Sequence, residues 1–208
     1  MIKNKFLVNL TMWLAKLSGV LPAWLLFKPR VRLAPGAKRC LPKNCILMSN
    51  HMSLLDVVLH FLLFYRRNIR FPMAEALFNN GKFLSAILYA LGGIKVDRDG
   101  KDFGFVPDCL EVLDGGDTLG IFPQGRLPVK GQHFPFTVST AFIATNTEVP
   151  IIPIYTGGHY GIFRRANVVI GAPIQLSEHV KPGLSRDEQL QQLTDFLEET
   201  VMNLKSYL

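Results

Sequence analysis

From residue 45 onward, short apolar runs rich in β-branched residues alternate with stretches of helical length, and that alternation leaves few architectures open. Residues 45–48, 70–74, 94–96, 118–122, 149–155 and 167–170 read as strands. Residues 54–65, 76–91, 103–114, 137–146 and 185–206 read as helices, the second stopped by Gly92-Gly93 and the last carrying Leu190, Leu193, Phe196, Leu197, Val201 and Leu204 at helical spacing. Strands separated by helices bury both faces of one sheet, so the expected fold class is α/β, a mixed sheet flanked by helices. With 208 residues, 49% of them hydrophobic, the chain is long enough for one sizeable core. The expected division is a helical segment at 1–27 and one domain at 28–208.

The charge is distributed unevenly. The formal net charge is +7, yet residues 1–55 hold nine Lys and Arg and no acid, the first carboxylate being Asp56. The remainder is slightly acidic. An acid-free basic end favours an anionic surface. Nucleic acid would satisfy charge alone, but residues 6–27, FLVNLTMWLAKLSGVLPAWLLF, are far too apolar for a nucleic-acid arm, so no nucleic-acid partner is expected. Asn9, Lys16 and Pro22 interrupt this stretch, and Lys5, Asn9 and Lys16 fall close to one helical stripe. The expectation is an N-terminal membrane-associating helical segment, an interfacial helix followed by a second short apolar element, with residues 1–43 meeting anionic lipid. A spanning helix and an ordinary core helix are the competing readings. Three cysteines, Cys40, Cys45 and Cys109, have neither an even count nor metal-ligand spacing, which points to a reduced compartment with no disulfide framework and no metal site.

The stretch with the most chemistry is Ser49-Asn50-His51-Met52-Ser53-Leu54-Leu55-Asp56. Five residues correspond to about 500° around an ideal helix, so His51 and Asp56 share no helical face and meet only if His51 lies in a turn. Ser49, Asn50 and Ser53 are residue types that build such a turn and cap a helix. There Asp56 would accept from one ring nitrogen of His51 and leave the other basic. The plain alternative is a helix-start histidine beside a capping acid.

Four blocks, in order, resemble the glycerolipid acyltransferases of the 1-acylglycerol-3-phosphate acyltransferase type. Asn50-His51, four residues and Asp56 resemble the first, and Gly93-Ile94-Lys95-Val96-Asp97-Arg98 the second. Phe122-Pro123-Gln124-Gly125 resembles the third and Val149-Pro150-Ile151-Ile152-Pro153-Ile154 the fourth, within a similarity spanning about residues 40–175. The resemblance implies an O-acyltransferase that moves an acyl group from an acyl-CoA or acyl carrier protein thioester to the hydroxyl of a lysophospholipid acceptor, at the cytoplasmic face of a membrane and with no cofactor. It makes His51 the general base and Asp56 its orienter, with Asn50, Arg98, Gln124, Gly125 and Arg126 on the substrates. The planar fork of Arg98 suits a phosphate, and its alternative is a surface arginine paired with Asp97 or Asp99. Val149–Ile154 reads as a core strand supporting the site.

The third block departs from the family's common Phe-Pro-Glu-Gly-Thr-Arg-Ser. Gln124 keeps an acceptor oxygen, gains a donor and loses the charge. Arg126 stands one place earlier than the family's arginine, either replacing it or pointing elsewhere. The departure bears on the acceptor: 1-acylglycerol-3-phosphate leads, and another lysolipid or an amino-lipid follows. A lipid-binding module without catalysis is the reading from another class, which has little need of a poised base.

Overall fold

The computed structural model describes residues 5–97, 104–129, 132, 134–158, 160–161 and 163–208. A helix α1 (Lys5–Phe27) precedes a six-stranded sheet of β1 (Arg30–Leu33), β2 (Ile46–Ser49), β3 (Ile69–Arg70), β6 (Thr118–Ile121), β7 (Ile151–Thr156) and β8 (Asn167–Ile170). Its spatial order is β1-β8-β7-β2-β6-β3. Strands β7, β2, β6 and β3 run parallel, β8 is antiparallel to β7, and β1 is parallel to β8. A separate parallel ribbon pairs β4 (Pro72–Ala74) with β5 (Ile94–Val96). The helices are α2 (Asp56–Leu63), α3 (Glu75–Phe78), α4 (Lys82–Ala90), α5 (Val106–Asp114), α6 (Ser139–Thr145) and α7 (Arg186–Asn203). The mixed α/β sheet between helices is thus the expected fold.

The period of two along each strand divides the core in two. On one face Ile46, Met48, Leu119, Ile121 and Ile151 meet Cys109 and Val112 of α5, Ile143 of α6, and Leu193, Leu197 and Val201 of α7. On the other, Leu47, Ile69, Phe71, Ile152 and Ile154 meet Leu59 of α2 and Phe27, the last residue of α1. The capping box on Ser185, whose Oγ accepts from the Glu188 N–H, starts α7 where its apolar spacing begins.

Three expectations are corrected. The stretch 28–43, where no strand was expected, contains β1, because Arg30 and Arg32 are tolerated on an edge strand whose side chains are mostly solvated. The helix at 76–91 is two, α3 and α4, divided where Gly81 takes φ +101°. The strand at 70–74 is also two: Arg70 closes β3 and Pro72 opens β4.

At the N-terminus one continuous helix takes the place of a helix and a second element, passing through Pro22. Its Asn9 is turned inward. Asn9 Oδ1 accepts from Arg70 Nη2 at 2.8 Å and from Asn68 Nδ2 at 3.4 Å, and Arg70, wholly buried, also donates to Asp117 Oδ2 through Nε and Nη2. Leu10, Trp13, Leu14, Leu21, Trp24 and Leu25 are left exposed, Leu21 by 67%. Among the described residues no helix is long and apolar enough to cross a membrane.

Candidate active site

Strands β2, β6 and β7 are mutually parallel, so the loops after Ser49, Ile121 and Thr156 open at the same sheet edge, where α/β proteins bind ligands. Asn50 fixes the first loop. Its Nδ2 donates to the Thr156 carbonyl at 2.9 Å and its Oδ1 accepts from the Thr156 N–H at 2.7 Å, which extends the β2–β7 pairing by one side chain. With both ends of its buried amide engaged, Asn50 braces the turn.

The turn leaves His51 before the helix and Asp56 as the first residue of α2. Asp56 Oδ2 lies 2.9 Å from His51 Nδ1 and accepts the N–H groups of Met52 at 2.7 Å and Ser53 at 2.9 Å. The hydroxyl of Tyr160 donates to the other oxygen, Oδ1. Asp56 is 0% exposed. Burial alone would raise its pKa, but the hydrogen bonds from His51, Tyr160 and the two backbone N–H groups outweigh burial and hold the carboxyl below its ordinary 3.8. An ionised carboxylate only accepts, so Nδ1 carries the His51 proton and Nε2 carries the lone pair.

Aromatic contacts lock the ring. His51 stacks on Phe122 with centroids 4.2 Å apart and planes 16° apart, and Phe122 stacks in turn on Phe71 at 5.4 Å. Phe71 lies across β6 only because residue 120 is glycine, where a Cβ would come within 2.2 Å of the ring. His60 meets Phe122 edge-on at 5.4 Å, with Nδ1 2.7 Å from the Asp56 carbonyl oxygen. Burial pushes the pKa of His60 down, so it is neutral here, a wedge beneath the site.

His51 opens on a cleft of about 360 Å³. Met73, Val96, Phe105, Ile121, Val138 and Ile143 form apolar walls, and Gln124, Gly125, Arg126, Thr137 and Ser139 bring polar groups to them. Gln124 Oε1 accepts the His51 backbone N–H at 2.5 Å. One lone pair of its oxygen is thus taken by the loop, and the amide nitrogen remains a donor. Gly125, at φ +65°, has open space where a Cβ would stand, while its N–H donates to the Phe122 carbonyl at 2.9 Å. Arg126 lies exposed at the mouth, its guanidinium 5.1 Å from the Phe134 ring centroid. Arg98 lies outside the described residues. A wider groove of about 810 Å³ between Leu176–His179 and α7 shares no residue with this cleft and is bordered by Glu178, Glu188, Asp195 and Glu199 together with Lys181 and His179.

The model of the family described as Acyltransferase matches residues 35–157, more than half of the chain and all of β2 through β7. The chain belongs to the acyltransferase family. This acyltransferase is 23% identical over 168 residues to the 1-acyl-sn-glycerol-3-phosphate acyltransferase of Bacillus subtilis (strain 168), covering 78% of this chain and 82% of that one. It is 23% identical over 143 residues to the 1-acyl-sn-glycerol-3-phosphate acyltransferase alpha of Mus musculus, covering 68% of this chain but only 50% of the mouse protein. The crystal structure of the 1-acyl-sn-glycerophosphate (LPA) acyltransferase PlsC from Thermotoga maritima superposes with a TM-score of 0.62 at 21% identity, covering 93% of this chain and 78% of that one. At that identity the likeness shows the fold.

The structure brings His51, Gln124, Gly125 and Arg126 of this acyltransferase to one cleft, with Asp56 buried behind the His51 ring. Sequence reading missed Tyr160, which lies 104 positions beyond Asp56 with no motif around it, and gave Phe122 no role of its own although it sits in the third block. Gly157 and Gly158, which turn the chain after β7 toward Tyr160, were the one available signal. Gly158 has φ +70°, and a Cβ there would strike Met52 at 2.5 Å.

Proposed function

We propose that this protein transfers an acyl group from an acyl-CoA or acyl carrier protein thioester to the hydroxyl of a lysophospholipid, with 1-acylglycerol-3-phosphate as acceptor and phosphatidic acid as product. The observation that carries the proposal is the Asp56-bound His51 lining a cleft with apolar walls. His51 Nε2 takes the hydroxyl proton as the oxygen attacks the thioester carbonyl carbon. The tetrahedral intermediate collapses with cleavage of the C–S bond, and the imidazolium returns the proton to the departing thiolate. No cofactor takes part. Arg98, five residues past Gly93 in the second block, grips the acceptor phosphate. The decisive experiment is a panel of lysolipids with one acyl donor and mass analysis of the products. Acylation of lysophosphatidate ahead of neutral and zwitterionic lysolipids is expected, and failure to acylate any member refutes the reading.

Gln124 favours a second acceptor reading, another lysolipid or an amino-lipid. With Oε1 held by the His51 N–H, the amide offers a donor, which suits a carbonyl or phosphate oxygen better than a hydroxyl. Gln124→Glu replaces that donor with a second acceptor. The ratio of kcat/KM between two acceptors that differ at this group is expected to change by about tenfold, the scale of one hydrogen bond to a charged group. An unchanged ratio removes position 124 from acceptor choice.

Residues 1–27 are proposed as a membrane-associating segment set before the acyltransferase domain 28–208, and the basic end 1–43 as its contact with anionic lipid at the cytoplasmic face. Support comes from the apolar residues that α1 exposes, two tryptophans among them, and from Leu54 just before α2, Val58 on α2 and Phe83 on α4, two helices that α1 contacts; Phe83 is 80% exposed. Deleting α1 would also strip Phe27 from the core and Asn9 from Arg70, so the cleaner variant is Trp13→Ser with Leu14→Ser and Leu21→Ser. Loss of co-sedimentation with anionic vesicles at an unchanged melting temperature is expected. Wild-type binding by that variant would sink the assignment.

A further inference from the structure

We infer that Tyr160 is a third member of the base assembly, a positioning residue that holds Asp56 for His51 and ties that pair to the end of α1. The inference rests on His51 acting as the base, as proposed above. Asp56 has two oxygens and unequal demands on them. Three donors converge on Oδ2: His51 Nδ1–H, Met52 N–H and Ser53 N–H. Oδ1 receives the Tyr160 hydroxyl alone among the described residues. With a donor on each oxygen the carboxylate cannot rotate about its terminal torsion without breaking bonds on both sides, and Oδ2 stays aimed at Nδ1. Without the hydroxyl a fully buried, charged oxygen loses its partner.

The hydroxyl is suited to that role across the working pH range. Burial, followed by the negative charge and hydrogen bond of Asp56, pushes the Tyr160 pKa well above the usual phenol range, so the group remains a donor. Its ring is held from the other side, because Phe27 meets it edge-on with centroids 5.3 Å apart. Phe27 is fully buried, and its carbonyl accepts the Ala166 N–H at 2.7 Å, joining the end of α1 to the segment after Tyr160. An unbroken series of contacts therefore runs from Phe27 through Tyr160 and Asp56 to His51. The end of α1 thus packs directly against the residue that orients Asp56.

Tyr160→Phe tests the inference with minimal disturbance, since the ring on Phe27 is kept and one oxygen is lost. Three results are expected together: kcat falls by about tenfold, the effect of one hydrogen bond to a charged group, KM stays within about twofold, and the acid limb of kcat/KM moves to higher pH. The direction of the last follows because the Tyr160 hydroxyl helps keep the carboxylate ionised, and without it the His51–Asp56 pair holds its protons to higher pH. The proton on His51 Nδ1, identified by NMR as the resonance absent from His51→Ala, is expected to exchange faster with solvent in Tyr160→Phe. A folded Tyr160→Phe protein with wild-type kcat, acid limb and Nδ1 proton overturns the inference. A fall in kcat with the acid limb and that proton unmoved overturns it too, because packing alone would produce it. The NMR comparison needs no substrate, so it decides the role of Tyr160 even if every lysolipid proves inert and the proposed acceptor is wrong.

Discussion

Replacing His51 with alanine is expected to lower kcat/KM for acyl transfer by about a thousandfold or more, with no loss of vesicle binding. A positioned general base contributes roughly 10²- to 10⁴-fold, and the two titratable side chains packed against His51 cannot take its place. His60 is buried and neutral with Nδ1 committed to the Asp56 carbonyl oxygen, and Asp56 is buried behind the ring. The change also removes a ring from the Phe122 stack. His51→Gln, which fills more of that space, separates loss of the base from loss of packing, and the melting temperature of both variants monitors the fold. Activity within tenfold of wild type in a folded His51→Ala protein would remove His51 from the chemistry.

Much of the sheet was legible because buried strands leave a strong imprint. Residues such as Ile46-Leu47-Met48 and the run from Ile151 to Tyr155 are apolar on both faces, as only a covered strand can be. β1 was not legible because Arg-Val-Arg-Leu on an edge has the composition of a linker, and its pairing with β8 is 137 residues distant in sequence at every register position. Gly81 was readable as a possible break but stood inside an otherwise continuous helical pattern, and its positive φ is a property of the folded backbone. In the site, the requirement that His51 precede the helix followed from helical geometry before any contact was known. The direction of the Gln124 amide could not be read that way: which end faces substrate depends on the His51 N–H, 73 positions away. The same limit hid Tyr160. Sequence carries donor and acceptor types; the pairing among them is a tertiary result.

Replacing Asp56 with asparagine is expected to reduce kcat by about 10²- to 10³-fold and to change how stability depends on pH. Asparagine has the same outline but one acceptor oxygen, whereas Asp56 receives donors on both. If its oxygen takes the place of Oδ2, the contacts of Met52, Ser53 and His51 persist, but an NH₂ group faces the Tyr160 hydroxyl and the charge that stabilises the imidazolium is gone. If it flips, the NH₂ meets His51 Nδ1 and the two backbone N–H groups, forcing the wrong tautomer and crowding three donors. Either arrangement costs catalysis more than it costs fold. For stability the sign follows from the lowered folded pKa. Ionised Asp56 contributes fully above its ordinary 3.8, and its contribution is lost as pH falls through the lower folded value. Wild type should therefore lose melting temperature on acidification below about pH 4 by more than Asp56→Asn does, while at pH 7 the variant should be the less stable by about 1–3 kcal/mol. Parallel melting curves with pH for the two proteins, and kcat at pH 7, make the measurement. If Asp56→Asn retains more than a tenth of wild-type kcat, orientation alone is sufficient and the buried charge has no large part in moving the proton.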